Sequence, residues 1–354
     1  LSPPAHDKPL VWGPDCYWDT TVASKHPEWR DKAVPRPTKN IAQMRRDILE
    51  WGYCLIEDAM SPEQTAVMRE RLLAQAAAER RAGIEQTSPY GQYVNTLVNK
   101  GECFARAIEQ DPAFVQGGPV IEQLIDEMLG PGWICHAFLA NGADPGRYPQ
   151  GLHVDQGALL PWLPADAPML INTMYFFQDV DERNGGTLMI PGSHRILAEA
   201  SVTGLVPKLP KPFNLDAPAG TVMVFDGRLL HGTGVNRTSV QRFVATMSAI
   251  KPWMRQQENW VISVKPEVLA WASPKLLHRM GFQAVFNGGT VEGFGINYAN
   301  GAPGDPMGAI IGFRLAMDAG AYQRVGELSL SSPMDELQRA FTLRDMMKSG
   351  ADEG

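Results

Sequence analysis

Nothing in this sequence is apolar and uninterrupted for long enough to cross a bilayer; no run approaches the roughly 18 residues that a spanning helix needs. Positive charge is not in excess either. Acidic residues number 39 against 32 basic ones, for a formal net charge of −7. A nucleic-acid binder needs a basic footprint, and this chain shows none. Cysteine is sparse: Cys16, Cys54, Cys103 and Cys135 form no CxxC pair. That speaks against a thiolate zinc site and against a disulfide framework, and the expected state is reduced thiols in the cytoplasm. Asp7, Lys8 and Asp15 interrupt the first residues, so no apolar leader core is read there. Internal repeats and low-complexity tracts are absent. Histidine is scarce, with seven in 354 residues, which makes each one worth placing.

Apolar residues make up 44 % of the chain, enough for a real core. Residues 1–40 form an expected irregular arm, and 1–37 hold seven prolines and three tryptophans. Residues 40–50 have helical spacing, and WGYCLIEDAM reads as a strand. In SPEQTAVMRERLLAQ, Ser61 as N-cap, Pro62 at the first helical position and Gln64 three residues on make a capping box. A further helix is expected over 117–129, stopped by Gly130-Pro131-Gly132. From 133 to 250 the texture changes to short apolar runs between turn residues: WICHAFLA, MLINTMYFFQDV, GTLMIP, AGTVMVF and RFVATMSAI. Such spacing predicts a β-sandwich or barrel. Beyond 255, PEVLAWASPKLLHRMGF looks helical, 284–312 is glycine-rich, and SSPMDELQRAFTLRDMMK reads as a capped terminal helix. The expected organisation is one domain: arm 1–40, core 41–255 with its N-terminal helices, and an extension 256–354. Eight glycines between Asn287 and Gly312 suit a lid over the barrel mouth, or an extended strap that packs on the outside of the barrel or on a partner subunit of a homodimer.

The chemistry is concentrated in GLHVDQG. Residues i and i+2 of a strand share a face, so His153 and Asp155 can bind one ion while Val154 points away. A third ligand must come from elsewhere. His6 and His26 lie in the arm, His278 on a helix, His136 mid-strand, and His194 in the PGSH turn. His231 follows the TVMVF strand and a DG turn and opens HGTGVNRTSVQR. Two histidines and a carboxylate suit non-haem Fe(II), and zinc as well. Thr233 and Arg242 favour iron. A buried arginine needs an anion, its planar fork matches a carboxylate, and a dicarboxylate co-substrate chelating iron would supply one.

The ordered set of HxD at 153–155, GTLMIPGSH at 186–194 and HGTGVNRTSVQR at 231–242 resembles the phytanoyl-CoA dioxygenase family of Fe(II)/2-oxoglutarate-dependent oxygenases, over roughly residues 45–255. The resemblance implies a mainly β fold with flanking helices, a double-stranded β-helix of the cupin-like jelly-roll kind. It implies His153, Asp155 and His231 as iron ligands. Arg242 matches the arginine that pairs with the distal carboxylate of 2-oxoglutarate, with Thr233 as its hydroxyl helper and Asn95 as a further polar group facing the co-substrate. The implied reaction consumes O2 and 2-oxoglutarate, releases succinate and CO2, and oxidises, by hydroxylation in the first instance, an unactivated C–H of a small molecule. Asp155 argues against halogenation, since halogenating relatives lack the carboxylate.

Other outcomes on the same iron (desaturation, epoxidation, rearrangement) stay open, as does a non-catalytic metal-binding cupin. A zinc hydrolase wants a general base that Gln156 cannot be. Gln156 and Trp162 follow the HxD segment and are candidates to touch substrate. His136 is either pocket lining or core. His194 reads as a backbone-bonded turn residue, Arg237 competes with Arg242, and the sequon at Asn236 is a coincidence of the motif. No basic cluster suggests a phosphate-adenine site, whereas Trp162, Tyr148 and Trp260 point to an apolar or aromatic substrate.

Overall fold

The computed structural model describes residues 21–156, 167–203 and 208–282, with two short pieces at 290–291 and 294–295. Trp162, most of the glycine-rich segment 287–312 and the helix expected after Ser332 lie outside the described residues. Helix α1 (Ile41–Trp51) is capped by Asn40, whose side chain accepts from the amides of Ala42 and Gln43. It stops at Gly52 in the left-handed region, φ 83°, and the chain turns straight into β1 (Tyr53–Ile56). Helix α2 (Pro62–Ala82) begins with the expected capping box of Ser61 and Gln64 and ends at Gly83. Strands β2 (Gln86–Thr87) and β3 (Gln92–Val94) follow, then α3 (Glu102–Ile108) and α4 (Gly118–Leu129).

The remaining strands are β4 (Ile134–Ala143), β5 (Leu170–Phe176), β6 (Thr187–Met189), β7 (Phe213–Asn214), β8 (Val222–Asp226), β9 (His231–Thr233) and β10 (Arg242–Ile250). A seven-stranded sheet runs β1-β8-β5-β10-β4-β3-β2, and a three-stranded sheet runs β7-β6-β9. Every pairing within them is antiparallel. The large sheet is covered on both faces, which explains why its strands read as continuous apolar runs and not as alternating ones. Val222 and Val224 of β8, with Phe243, Ala245 and Met247 of β10, join the helices in one core. Their neighbours Met223, Phe225 and Val244 turn the other way and pack with Met189 and Phe213 of the small sheet. Two antiparallel sheets packed in this way are the double-stranded β-helix that the resemblance implies.

Three details differ from the sequence reading. The stretch 266–282 is not one helix. It breaks into Pro266–Leu269 and Pro274–Arg279, because Pro274 has no amide hydrogen to continue the first and Ser273 caps the second. After the PGSH turn, Ser193 opens a helix, α5 (Ser193–Thr203). Strands β7 and β9 are only two and three residues long, too short to leave a periodic pattern. The segment Trp260–Met280 packs into the helical core through Trp260, Val264, Leu276 and Met280. Arg279 fixes it there, stacked 3.5 Å over Trp133 and paired with Glu122 at 2.6 Å. Among the described residues no helix is long and apolar enough to cross a membrane. Cys54, Cys103 and Cys135 are buried free thiols, and burial pushes Cys103 up to about 11.

Candidate active site

The site forms where β9 meets the segment before residue 157. His153 and His231 make a single antiparallel bridge, each amide donating to the other's carbonyl at 3.0 Å. The bridge sets the two imidazoles side by side, with ring centroids 4.5 Å apart. His153 is not part of a longer strand, so Asp155 reaches the same place by a turn of the chain and not by the pleat that the sequence suggests. Nδ1 of His153 lies 3.0 Å from the Gly151 carbonyl, and Nδ1 of His231 lies 3.0 Å from the Leu229 carbonyl. A carbonyl only accepts, so each Nδ1 carries a hydrogen, which leaves Nε2 as the nitrogen that can offer a lone pair to an ion. Both Nε2 atoms face Asp155, at 3.2 Å from Oδ1 for His153 and 3.6 Å from Oδ2 for His231. One ligand atom from each of the three lies within 4.8 Å of the others. No other such cluster occurs among the described residues.

Electrostatics suits a divalent cation. Burial pushes the Asp155 carboxyl up, but His231, His153 and the hydrogen bond from Asn172 outweigh it and hold it below the usual carboxylate range. Burial lowers His231 and keeps it neutral. For His153, burial is outweighed by the hydrogen bond and charge of Asp155, so its pKa is raised. A metal ion would take the place of that proton.

The three residues stand in the wall of a cavity of about 150 Å³ between the sheets. Thr233 lines it, its Oγ1 donating to Gln150 Oε1 at 3.2 Å. Val244, Thr246 and Ser248 of β10 line it too, and Arg242 ends the same row, though it is not itself a wall of the cavity. Arg242 is 1 % exposed. Its guanidinium donates to the carbonyls of Asn184, at 3.3 Å, and Gly185. Among the described residues it has no carboxylate partner, and burial brings its pKa down to about 10. Arg237 is exposed.

The other sequence candidates lie elsewhere. Asn95 stands past the end of β3, bonded to Gln86. It lines an outer groove of about 310 Å³ with Lys100 and Lys265, not the cavity. Only Tyr93 lines both. Gln156 is bonded at both ends of its amide, to the Ala167 carbonyl and the Met169 amide, so it serves the loop. His136 is buried at a bulge in β4, where Ser248 and Ala249 pair with Ala137 and Cys135 and skip it. Its Nδ1 accepts from the Gln257 amide at 3.1 Å, and burial, against the pull of Asp155, pushes its pKa down to about 4. Asn236 is 1 % exposed and spends its amide on the Ala143 and Val240 carbonyls, so the sequon is structural. The sequence reading passes over Asn172, Ser248 and Gln150. Asn172 is the one with a visible signal, a lone amide inside the apolar run MLINTMYFF.

Comparison with known proteins bears on the same span. The family model for phytanoyl-CoA dioxygenase (PhyH) matches residues 48–244. A dioxygenase of Aspergillus fumigatus, af480, is 29 % identical over 68 % of this chain and 76 % of its own length. The multifunctional dioxygenase prhA of Penicillium brasilianum is 24 % identical over 66 % of this chain and 80 % of its own. Among solved structures, the non-haem α-ketoglutarate-dependent carbocyclase SnoK from nogalamycin biosynthesis is similar with a TM-score of 0.49, at 19 % identity, over 65 % of this chain and 95 % of its own. The matched span covers more than half of the chain and contains His153, Asp155, His231 and Arg242. The chain therefore belongs to the phytanoyl-CoA dioxygenase family and is an oxidoreductase of the dioxygenase class.

Proposed function

We propose that the protein binds Fe(II) through His153, Asp155 and His231, binds 2-oxoglutarate beside it, and uses O2 to hydroxylate a C–H bond of a small molecule. The observation that carries this reading is the pairing of two features: a three-atom donor set within 4.8 Å, and a buried guanidinium with carbonyl partners but no carboxylate. A buried charge is costly unless paired, and a dicarboxylate co-substrate supplies the missing anion. The two backbone-anchored imidazoles present Nε2, and Asp155 balances part of the ion's charge. Arg242 receives the distal carboxylate, and Thr233 adds a hydroxyl. When bound, iron and 2-oxoglutarate together supply the oxidising equivalent, with succinate and CO2 as by-products; the chain contributes binding, orientation and exclusion of water.

Anaerobic addition of Fe(II) and 2-oxoglutarate to the apoprotein should produce a weak visible charge-transfer band. His153→Ala, Asp155→Ala and His231→Ala should each abolish it. Absence of the band in the wild type sinks the reading, and survival of the band in one variant removes that residue from the ligand set.

A further inference from the structure

Asn172 is fully buried in the middle of β5, on the face that looks between the sheets. An amide there costs stability unless both of its ends are bonded. Its Nδ2 donates to Asp155 Oδ2 at 2.7 Å. Its Oδ1 accepts from Ser248 Oγ at 2.6 Å. Ser248 stands directly opposite Asn172 in the β5–β10 register, and it lines the cavity. The orientation of the amide is forced. An ionised carboxylate has no hydrogen to give, so only the NH2 end of Asn172 can face it. The carbonyl end must then face Ser248, which commits its single hydrogen to that bond. The direction of the whole chain, Ser248 to Asn172 to Asp155, follows from the charge at one end.

Resting on the ligand set of the proposed function, we propose that Asn172 is a positioning residue for Asp155, with Ser248 holding its carbonyl end. By holding Oδ2, Asn172 keeps the carboxylate in one rotamer and turns Oδ1 toward Nε2 of His153, 3.2 Å away. With Oδ2 already accepting from Asn172, an ion held by the two histidines would draw chiefly on Oδ1. Three protein atoms hold the ion, and the cavity side stays open for the co-substrate and O2. Hydrogen bonds to ligating carboxylates commonly set metal affinity in this way.

Titration of the apoprotein with Co(II), read by its visible ligand-field bands, separates this role from packing. Asn172→Leu, similar in size and without hydrogen-bonding groups, should bind Co(II) roughly 10–100-fold more weakly, with bands changed in position and intensity. Ser248→Ala should bind about 5-fold more weakly, as for loss of one hydrogen bond, and Ser248→Thr, which keeps the hydroxyl, should match the wild type. If Asn172 served packing alone, Asn172→Leu would melt lower while its affinity and bands stayed put, and that result overturns the proposal. Should Asn172→Leu fail to fold, equal affinity and equal bands in Ser248→Ala and Ser248→Thr overturn it instead. A wild type that takes up no Co(II), while keeping a cooperative melt, overturns the ligand set itself.

Discussion

The residues of the site divide by how the backbone treats them. His153 and His231 each have one ring nitrogen tied to a carbonyl two residues back, so their free nitrogens are aimed before any ligand arrives. Arg242 is tied in the same manner to Asn184 and Gly185. Removing one partner of a buried charge pair costs roughly 2–5 kcal/mol. Arg242→Ala should therefore weaken 2-oxoglutarate binding by ~30-fold or more while Fe(II) binding changes little, and Thr233→Ala should lose about 1 kcal/mol. Equilibrium titration under nitrogen reads both. A larger loss in Arg237→Ala would mean that the exposed arginine holds the co-substrate. At this scale the sequence shows a good deal, because histidines are scarce and the spacing around 153 and 231 is unusual. It fails for Asn95, where the chain has already left β3 and turns the side chain to Gln86. It fails for Asn172 as well, since its partners come from 17 and 76 residues away and local pattern carries no such information.

Among the elements, the helix starts are legible and the joints are not. Ser61 and Gln64 announce α2 in the sequence and do what they announce. The joint from α1 to β1 has no comparable signature. Gly52 and Gly83 close α1 and α2 with similar left-handed conformations, φ 83° and 67°. A Cβ on Gly83 would meet nothing within 4 Å, whereas one on Gly52 would lie 2.5 Å from Nδ1 of His194. The left-handed conformation by itself costs a non-glycine residue roughly 1–2 kcal/mol. Gly83→Ala should lose about that much, and Gly52→Ala clearly more, since His194 is buried and has little room to retreat. Urea unfolding midpoints compare the two. Equal losses would show that His194 gives way without cost. The break at Pro274 is the reverse case, a joint that the sequence marks plainly within a stretch whose apolar spacing suggests one helix.

For the molecule as a whole, the segment after β10 closes an edge. Strand β3 pairs with β4 only at Asn141 and Ala140, which leaves the earlier part of β4 uncovered. Residues 256–260 cover it: Phe138 donates to Glu258 Oε1 at 2.8 Å, Glu258 donates to the His136 carbonyl at 3.0 Å, and Trp260 Nε1 donates to the Cys135 carbonyl at 2.9 Å. Burial pushes the Glu258 carboxyl up to about 7, against hydrogen bonds from Phe138 and Thr96 that pull it down. The folded state thus keeps a proton that the unfolded chain, near 4.5, gives up. Stability from this group is full below about 4.5 and is lost as pH rises through about 7. The loss is on the order of 3 kcal/mol. Melting temperature should fall between pH 5 and 8 in the wild type, and Glu258→Gln should flatten that fall. Parallel curves for the two proteins would acquit Glu258. This edge seal is hidden from sequence reading, which sees only a short polar stretch between a strand and a helix.

The bridge between His153 and His231 has a kinetic consequence. Their two amide hydrogens are held by reciprocal bonds between the same two residues, 78 positions apart in the chain, so neither is released to solvent unless the two segments separate. In hydrogen–deuterium exchange the pair should behave as one reporter, with a common opening rate that differs from those of their sequence neighbours. An ion gripped by both imidazoles binds only the closed form, so it should slow both amides by the same factor, the inverse of the fraction of sites left empty.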